Sequence, residues 1–218
     1  MSTAHTRFGR MSLPPVRVDP ETVTQGAQSQ SHSPVGRRRE PASGHTARMG
    51  HIVLVGLMGS GKTTVGARLA AALGMPLRDS DADIERDTGM TGRQHAARDG
   101  IDALHALETR HLLDSLEQPD ASVISAAAST LDDPANRSAL RDPRHLVVWL
   151  DASPAALAAR LRQDDHRPAI GPDMAEVLER QATQRSPALR EVADLTLDAT
   201  KPPEELVASI RTHADAVR

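Results

Sequence analysis

Gly56-Leu57-Met58-Gly59-Ser60-Gly61-Lys62-Thr63 fits the phosphate-binding pattern G-x-x-x-x-G-K-[ST] at every fixed position. The apolar run His51-Ile52-Val53-Leu54-Val55 precedes it and reads as a buried parallel strand. Thr64 to Leu73 follows, with Val65, Leu69, Ala72 and Leu73 on one helical face. Gly74 stands where a helix end favours a positive φ. Strand, glycine loop and helix, in that order, are the context the pattern requires.

The residue types explain the chemistry. Gly56, Gly59 and Gly61 carry no side chain, so the backbone can curl and aim several N–H groups at phosphate oxygens. The helix that begins near Gly61 adds the positive end of its dipole. Lys62 is predicted to reach the β- and γ-phosphates of a nucleotide, and Thr63 to place its hydroxyl on Mg²⁺. Ser60 and Thr64 complete the expected nucleotide-binding stretch.

Composition narrows the partners. The 218 residues suit one domain plus a tail, with the division at 49/50. Residues 1–49 are rich in Ser, Gln, Pro, Gly, His and Arg without apolar periodicity, and are expected to be a disordered tail. Met49-Gly50 directly precedes the first strand, so the tail is expected either to be dispensable or not to be translated. Residues 1–50 hold seven Arg and three acidic residues, net +4, with Arg37-Arg38-Arg39 reading as a solvated charge run. Residues 51–218 hold 19 basic and 26 acidic residues, net −7, a poor electrostatic match for nucleic acid. Phe8 and Trp149 are the only aromatic residues apart from histidine, which removes base stacking as a binding mode. The absence of cysteine excludes disulfides, cysteine-zinc sites and thiol catalysis. No apolar run approaches the length of a membrane span, and the N-terminus has no apolar segment of signal-peptide type. These features lead us to expect a cytoplasmic protein, monomeric and without a nucleic-acid or membrane partner.

Beyond the first helix, Met75 to Arg78 reads as a second strand delivering Asp79-Ser80-Asp81 at its end, where open parallel sheets collect ligand groups. In an extended segment both carboxylates face one side. Asp83 is expected to open the next helix. Thr91 caps helical sequence broken at Gly100, with Leu104, Leu107, His111, Leu112 and Leu116 marking a face. Ser122 to Ser125 and His145 to Leu150 read as strands, and Pro134 to Leu140 as a helix. Ser153 and Pro154 start another helix, which runs to about Arg162. A polar loop follows at 163–173, then a helix at 173–184, a turn from Pro187 to Glu191, a strand at Asp194 to Leu197 and a closing helix from Pro202. Strands alternating with helices predict an α/β fold with a five-stranded parallel sheet covered on both faces.

Residues 50–212 resemble the shikimate kinases, a family of P-loop small-molecule kinases. Beyond the glycine loop, the resemblance rests on Asp79-Ser80-Asp81, Ile84 to Met90, Asp99-Gly100, Arg167-Pro168, Arg185-Ser186-Pro187 and Val192 to Thr196. It implies a three-layer α/β/α P-loop kinase fold and a place in aromatic amino acid biosynthesis. ATP and Mg²⁺ would serve the phosphorylation of a hydroxyl on a small polar acceptor, shikimate first among them. It assigns Asp79 to the Mg²⁺ water shell and Asp81 to the attacking hydroxyl. Arg167 becomes a lid arginine over the phosphates, on the segment near 163–173. Arg160 and Pro203 would flank the adenine, and Arg185 would grip the acceptor's carboxylate.

The chain departs from the family on the acceptor side. Ala127, Ala128 and Ser129 replace three glycines after the third strand, and the added β-carbons fill space where a ligand approaches closely. Leu104-His105 replaces a Phe-Arg pair, and histidine cannot form the bidentate fork of a guanidinium. Ala96 replaces a phenylalanine before Asp99-Gly100. These changes keep two alternatives open: a paralogous kinase for another small hydroxy acid or cyclic polyol, and a non-catalytic nucleotide-binding regulator. Retention of the acceptor-side Asp81 weighs against the regulator.

Overall fold

The structure is a computed structural model, and it describes residues 50–163 and 174–217. The tail expected over 1–49 lies outside the described residues, as does the loop expected near 163–173 apart from Gln163.

Five parallel strands form one sheet: β1 (Ile52–Val55), β2 (Leu77–Asp79), β3 (Val123–Ser125), β4 (Leu146–Asp151) and β5 (Leu195–Asp198), in the order β2-β3-β1-β4-β5. β1 lies at the centre, with Ile52 in register with Val123 on one side and Leu146 on the other. Among the described residues eight helices accompany it: α1 (Lys62–Leu73), α2 (Ser80–Thr88), α3 (Gly92–Asp99), α4 (Ile101–Leu116), α5 (Pro134–Leu140), α6 (Pro154–Gln163), α7 (Met174–Val192) and α8 (Pro203–Ala216).

The period of two in each strand divides the core. Ile52, Leu54, Val123, Val148 and Leu150 pack with Val65 and Leu69 of α1 and Leu206 and Ile210 of α8. Val53, Val55, Ile124, Val147 and Trp149 point the other way, onto Leu112 of α4, Leu140 of α5, and Leu189 and Val192 of α7. A strand apolar at every position needs a helix layer on both faces, and the three-layer architecture follows. Among the described residues no helix is long and apolar enough to cross a membrane.

Three local expectations are corrected. The helix expected to begin at Asp83 begins at Ser80, because Asp79 caps it: its Oδ1 accepts from the Ala82 N–H at 3.2 Å. The turn expected from Pro187 to Glu191 is helix, and Pro187 lies inside α7. A helical proline costs about 3 kcal/mol. Burial of Leu189 and Val192 in the core contributes roughly 1.5–3 kcal/mol for each, so the helix continues. Lastly, α4 buries Glu108, Leu112 and Ser115 rather than the full set of leucines expected, and His111 turns to Asp83 of α2 at 2.8 Å. Burial pushes the Asp83 carboxyl up, but the hydrogen bonds from His111 and Arg86 outweigh it and hold it below the usual range.

The amino ends of β1 and β4 carry a histidine pair. The Ser122 N–H donates to His51 Nδ1 at 3.2 Å, and the His51 N–H donates to His145 Nδ1 at 3.2 Å. Both Nδ1 atoms therefore accept, and both rings are neutral. Burial lowers both pKa values below the ordinary 6.5. Above that value both states of the chain hold these rings neutral. As pH falls below it, the unfolded chain takes up protons that the folded chain refuses, and stability is lost down to the folded pKa values. Melting temperature is expected to fall between pH 7.5 and 5.5. The fall should be shallower in His145→Asn, whose amide oxygen accepts from the same N–H without titrating. Parallel melting curves across that range would contradict the assignment.

Candidate active site

The chain leaves β1 for α1 on one face of the sheet and leaves β3 for α5 on the other. The carboxyl ends of these neighbouring strands therefore part, and a crevice opens between them. It holds a cleft of about 700 Å³, whose wall includes Gly59 to Thr64 from the glycine loop and Asp79 to Asp81 from the end of β2.

The glycine loop is held by backbone geometry. Gly56 has φ +147°, and a β-carbon there would lie 2.6 Å from the Leu150 carbonyl oxygen and 2.9 Å from Ser60 Oγ. The Leu150 oxygen belongs to β4 and cannot move aside. Gly61, the residue before α1, lies in the left-handed region at φ 90° with no side-chain cap. The first N–H groups of α1 thus have no acceptor within the helix and open on the cleft. Lys62 Nζ donates to the Gly56 and Leu57 carbonyls at 2.8 and 3.1 Å. Gly56→Ala is expected to lower the melting temperature, since forced backbone strain alone costs on the order of 1–3 kcal/mol, and to abolish the rise in melting temperature that ATP produces. A variant with the wild-type ATP response would show that the loop tolerates a β-carbon.

Asp79 is 5% exposed. Its Oδ1 caps α2, whereas Oδ2 is buried without a hydrogen-bond partner among the described residues. An orphaned carboxylate oxygen costs about 1–3 kcal/mol unless something meets it. Thr63 and Asp79 share the cleft wall, and their oxygen atoms suit a hard cation such as Mg²⁺. No group of three or more His, Cys, Asp or Glu side chains forms a metal cage among the described residues. That donor set matches Mg²⁺, which keeps waters and takes phosphate oxygens for most of its shell. Asp81 is brought to the same cleft, but from the exposed first turn of α2 rather than from an extended strand.

His105 and Glu108 of α4, Ala127 to Ser129 after β3, and Arg185 of α7 also line the cleft. Ala128 opens a 3₁₀ segment, Ala128–Asp132. Ser129 Oγ donates to Glu108 Oε2. Burial pushes the Glu108 carboxyl above its usual range; the Ser129 hydrogen bond and the nearby His105 and Arg185 charges pull against it, while Asp81 adds to the push. Arg185 is buried and paired with Asp132, Nε to Oδ1 at 3.0 Å and Nη2 to Oδ2 at 2.7 Å. Arg160 and Pro203 share the wall with Lys201, and Arg160 Nη2 donates to the Ala199 carbonyl at 2.5 Å. Arg167 lies outside the described residues.

Every other residue given a site role from the sequence lines this cleft, except Gly56; Ala96, read as a departure from the family, does not line it. Sequence reasoning missed Glu108, Gln181 and Lys201, which also line it. Glu108 had a signal: a carboxylate between Leu104 and Leu112 at helical spacing, on a stripe otherwise apolar. Gln181 and Lys201 follow no pattern visible in sequence.

Comparison with known proteins agrees with this geometry. The profile of the family described as shikimate kinase matches residues 58–214. Shikimate kinase 2 of Sodalis glossinidius is 36% identical over 164 residues, covering 73% of this chain and 92% of the relative. The shikimate kinase of Mycobacterium ulcerans is 38% identical over 150 residues, covering 68% and 80%. The structure of Acinetobacter baumannii shikimate kinase in complex with shikimate superposes with a TM-score of 0.70 at 29% identity, covering 77% of this chain and 94% of that one. A gluconokinase from Sinorhizobium meliloti, at TM-score 0.51 and 23% identity, shares the fold alone. Members of the matched family take ATP as co-substrate, and the cleft brings the glycine loop together with two aspartates and a buried arginine. The chain therefore belongs to the shikimate kinase family and is a P-loop kinase that phosphorylates a hydroxyl group.

Proposed function

We propose that this enzyme transfers the γ-phosphoryl group of ATP to shikimate, giving shikimate 3-phosphate for aromatic amino acid biosynthesis. The observation that carries the reading is the meeting, in one cleft, of the glycine cradle, Asp81 and Arg185 in a chain of this family.

Phosphoryl transfer asks for positioning and charge neutralisation rather than covalent chemistry. The N–H groups at the start of α1 and the Lys62 ammonium take the phosphate oxygens. Asp81 orients the attacking hydroxyl and takes its proton. Arg185 binds the acceptor's carboxylate, and Ser129, held by Glu108, presents a polar atom where the ring lies. Arg160 and Pro203 flank the adenine. Thr63 and Asp79 would hold Mg²⁺, which when bound neutralises charge on the β- and γ-phosphates. We place the enzyme in the cytoplasm, as a monomer.

The test is ADP release from ATP and Mg²⁺ with shikimate as acceptor, the product being identified by mass and by ³¹P NMR. Shikimate-dependent ADP release with one phosphate ester formed is expected. Release indifferent to shikimate, with turnover on another hydroxy acid or polyol, would overturn the choice of acceptor.

A further inference from the structure

We infer that Asp132 is a positioning residue for the acceptor: it holds one edge of the Arg185 guanidinium and so turns the other edge into the cleft. This rests on the reading of the acceptor as a carboxylate-bearing compound. A guanidinium offers two forks in one plane. Asp132 takes the side-on fork, through Nε at 3.0 Å and Nη2 at 2.7 Å. The end-on fork, Nη1 with the second Nη2 hydrogen, makes no hydrogen bond among the described residues. Arg185 lines the cleft and Asp132 does not. The carboxylate of Asp132 therefore meets the guanidinium from outside the space an acceptor would fill.

The support beneath Asp132 is itself fixed. It ends the 3₁₀ segment that carries Ala128 and Ser129 into the cleft. Thr130 Oγ1 donates to the Ala127 carbonyl at 2.7 Å, Asn136 Nδ2 to the Thr130 carbonyl at 2.9 Å, and Arg137 Nη1 to the Leu131 carbonyl at 2.8 Å. Thr130, Leu131 and Asn136 are all buried. Segment, aspartate and arginine thus form one rigid unit, and the rotamer freedom of Arg185 is lost before the acceptor arrives rather than on binding. Preorganisation of this kind strengthens binding of a carboxylate and leaves the transfer step alone.

A competing role has the opposite sign. If Asp132 had to leave Arg185 before an acceptor carboxylate could bind, its removal would tighten binding. The experiment is steady-state kinetics of the full chain and of Asp132→Asn and Asp132→Glu, with shikimate and with its carboxamide. Asp132→Asn is nearly isosteric, and an unchanged KM for ATP reports that the fold is kept. For Asp132→Asn we expect KM for shikimate to rise about tenfold, with kcat and KM for ATP within about twofold of wild type, the pattern of lost uniform binding. Asp132→Glu should recover part of the loss, and KM for the carboxamide should not respond. A KM for shikimate that falls or does not move in Asp132→Asn overturns the proposal while the assignment of the acceptor stands. A wild type without shikimate turnover removes that assignment and the proposal with it.

Discussion

Replacing Asp81 with alanine is expected to lower kcat for phosphoryl transfer by roughly 10²–10⁴-fold, the range for a positioned general base, with ATP affinity close to wild type. Asp81 stands in the first turn of α2, exposed at the cleft. An exposed first-turn acid contributes about 0.3–1 kcal/mol through the helix dipole, small against the 5–15 kcal/mol of a folded domain. The variant should therefore fold and bind nucleotide, so the loss reads on transfer. Fluorescence titration with a labelled ATP analogue measures the first quantity and shikimate-dependent ADP release the second. A variant retaining more than about a tenth of wild-type turnover would remove Asp81 from the chemistry.

Lys62→Met is the second large effect. Methionine keeps the length of the stem and removes the ammonium. In the structure that ammonium is held by the Gly56 and Leu57 carbonyls, so it is already near where the phosphates bind. Losing one preorganised charged donor costs on the order of 10²–10³ in rate. The two lost hydrogen bonds cost about 0.5–1.5 kcal/mol each, which lowers the melting temperature without unfolding the chain. Arginine at 62 should not restore activity, because its planar fork cannot reproduce a compact point charge in a cradle built for one. Wild-type kcat/KM in Lys62→Met would contradict the placing of the γ-phosphate.

The parts of the fold that were legible in sequence are those in which a local rule and the tertiary structure agree. The strand apolar at every position from Ile52 to Val55 demanded two helix layers, and it has them. Thr91 reads as a cap and forms a full capping box with Gln94. Misreadings occurred where a distant contact overrode a local rule. Pro187 says "stop", yet Leu189 and Val192 are core residues and the helix runs on. His111 has the spacing of a core residue but answers to Asp83, 28 positions away. In the cleft, the glycine loop was readable because consecutive residues build it. The wall supplied by α4, the segment after β3 and α7 was only half readable. Glu108 sits on an apolar stripe, and the partner of Arg185 is Asp132, 53 positions distant, so no spacing rule links the two.

The proposed roles of the glycine loop, Asp79, Asp81 and Arg185 specify where donor and acceptor must lie. A crystal structure of the full chain with ADP, Mg²⁺ and shikimate tests this most directly. The β-phosphate is expected against the N–H groups of residues 59–63, a shikimate hydroxyl within hydrogen-bond distance of Asp81, and the shikimate carboxylate on the end-on fork of Arg185. A nucleotide bound away from the glycine loop, or a shikimate whose hydroxyls all point away from Asp81, would contradict it.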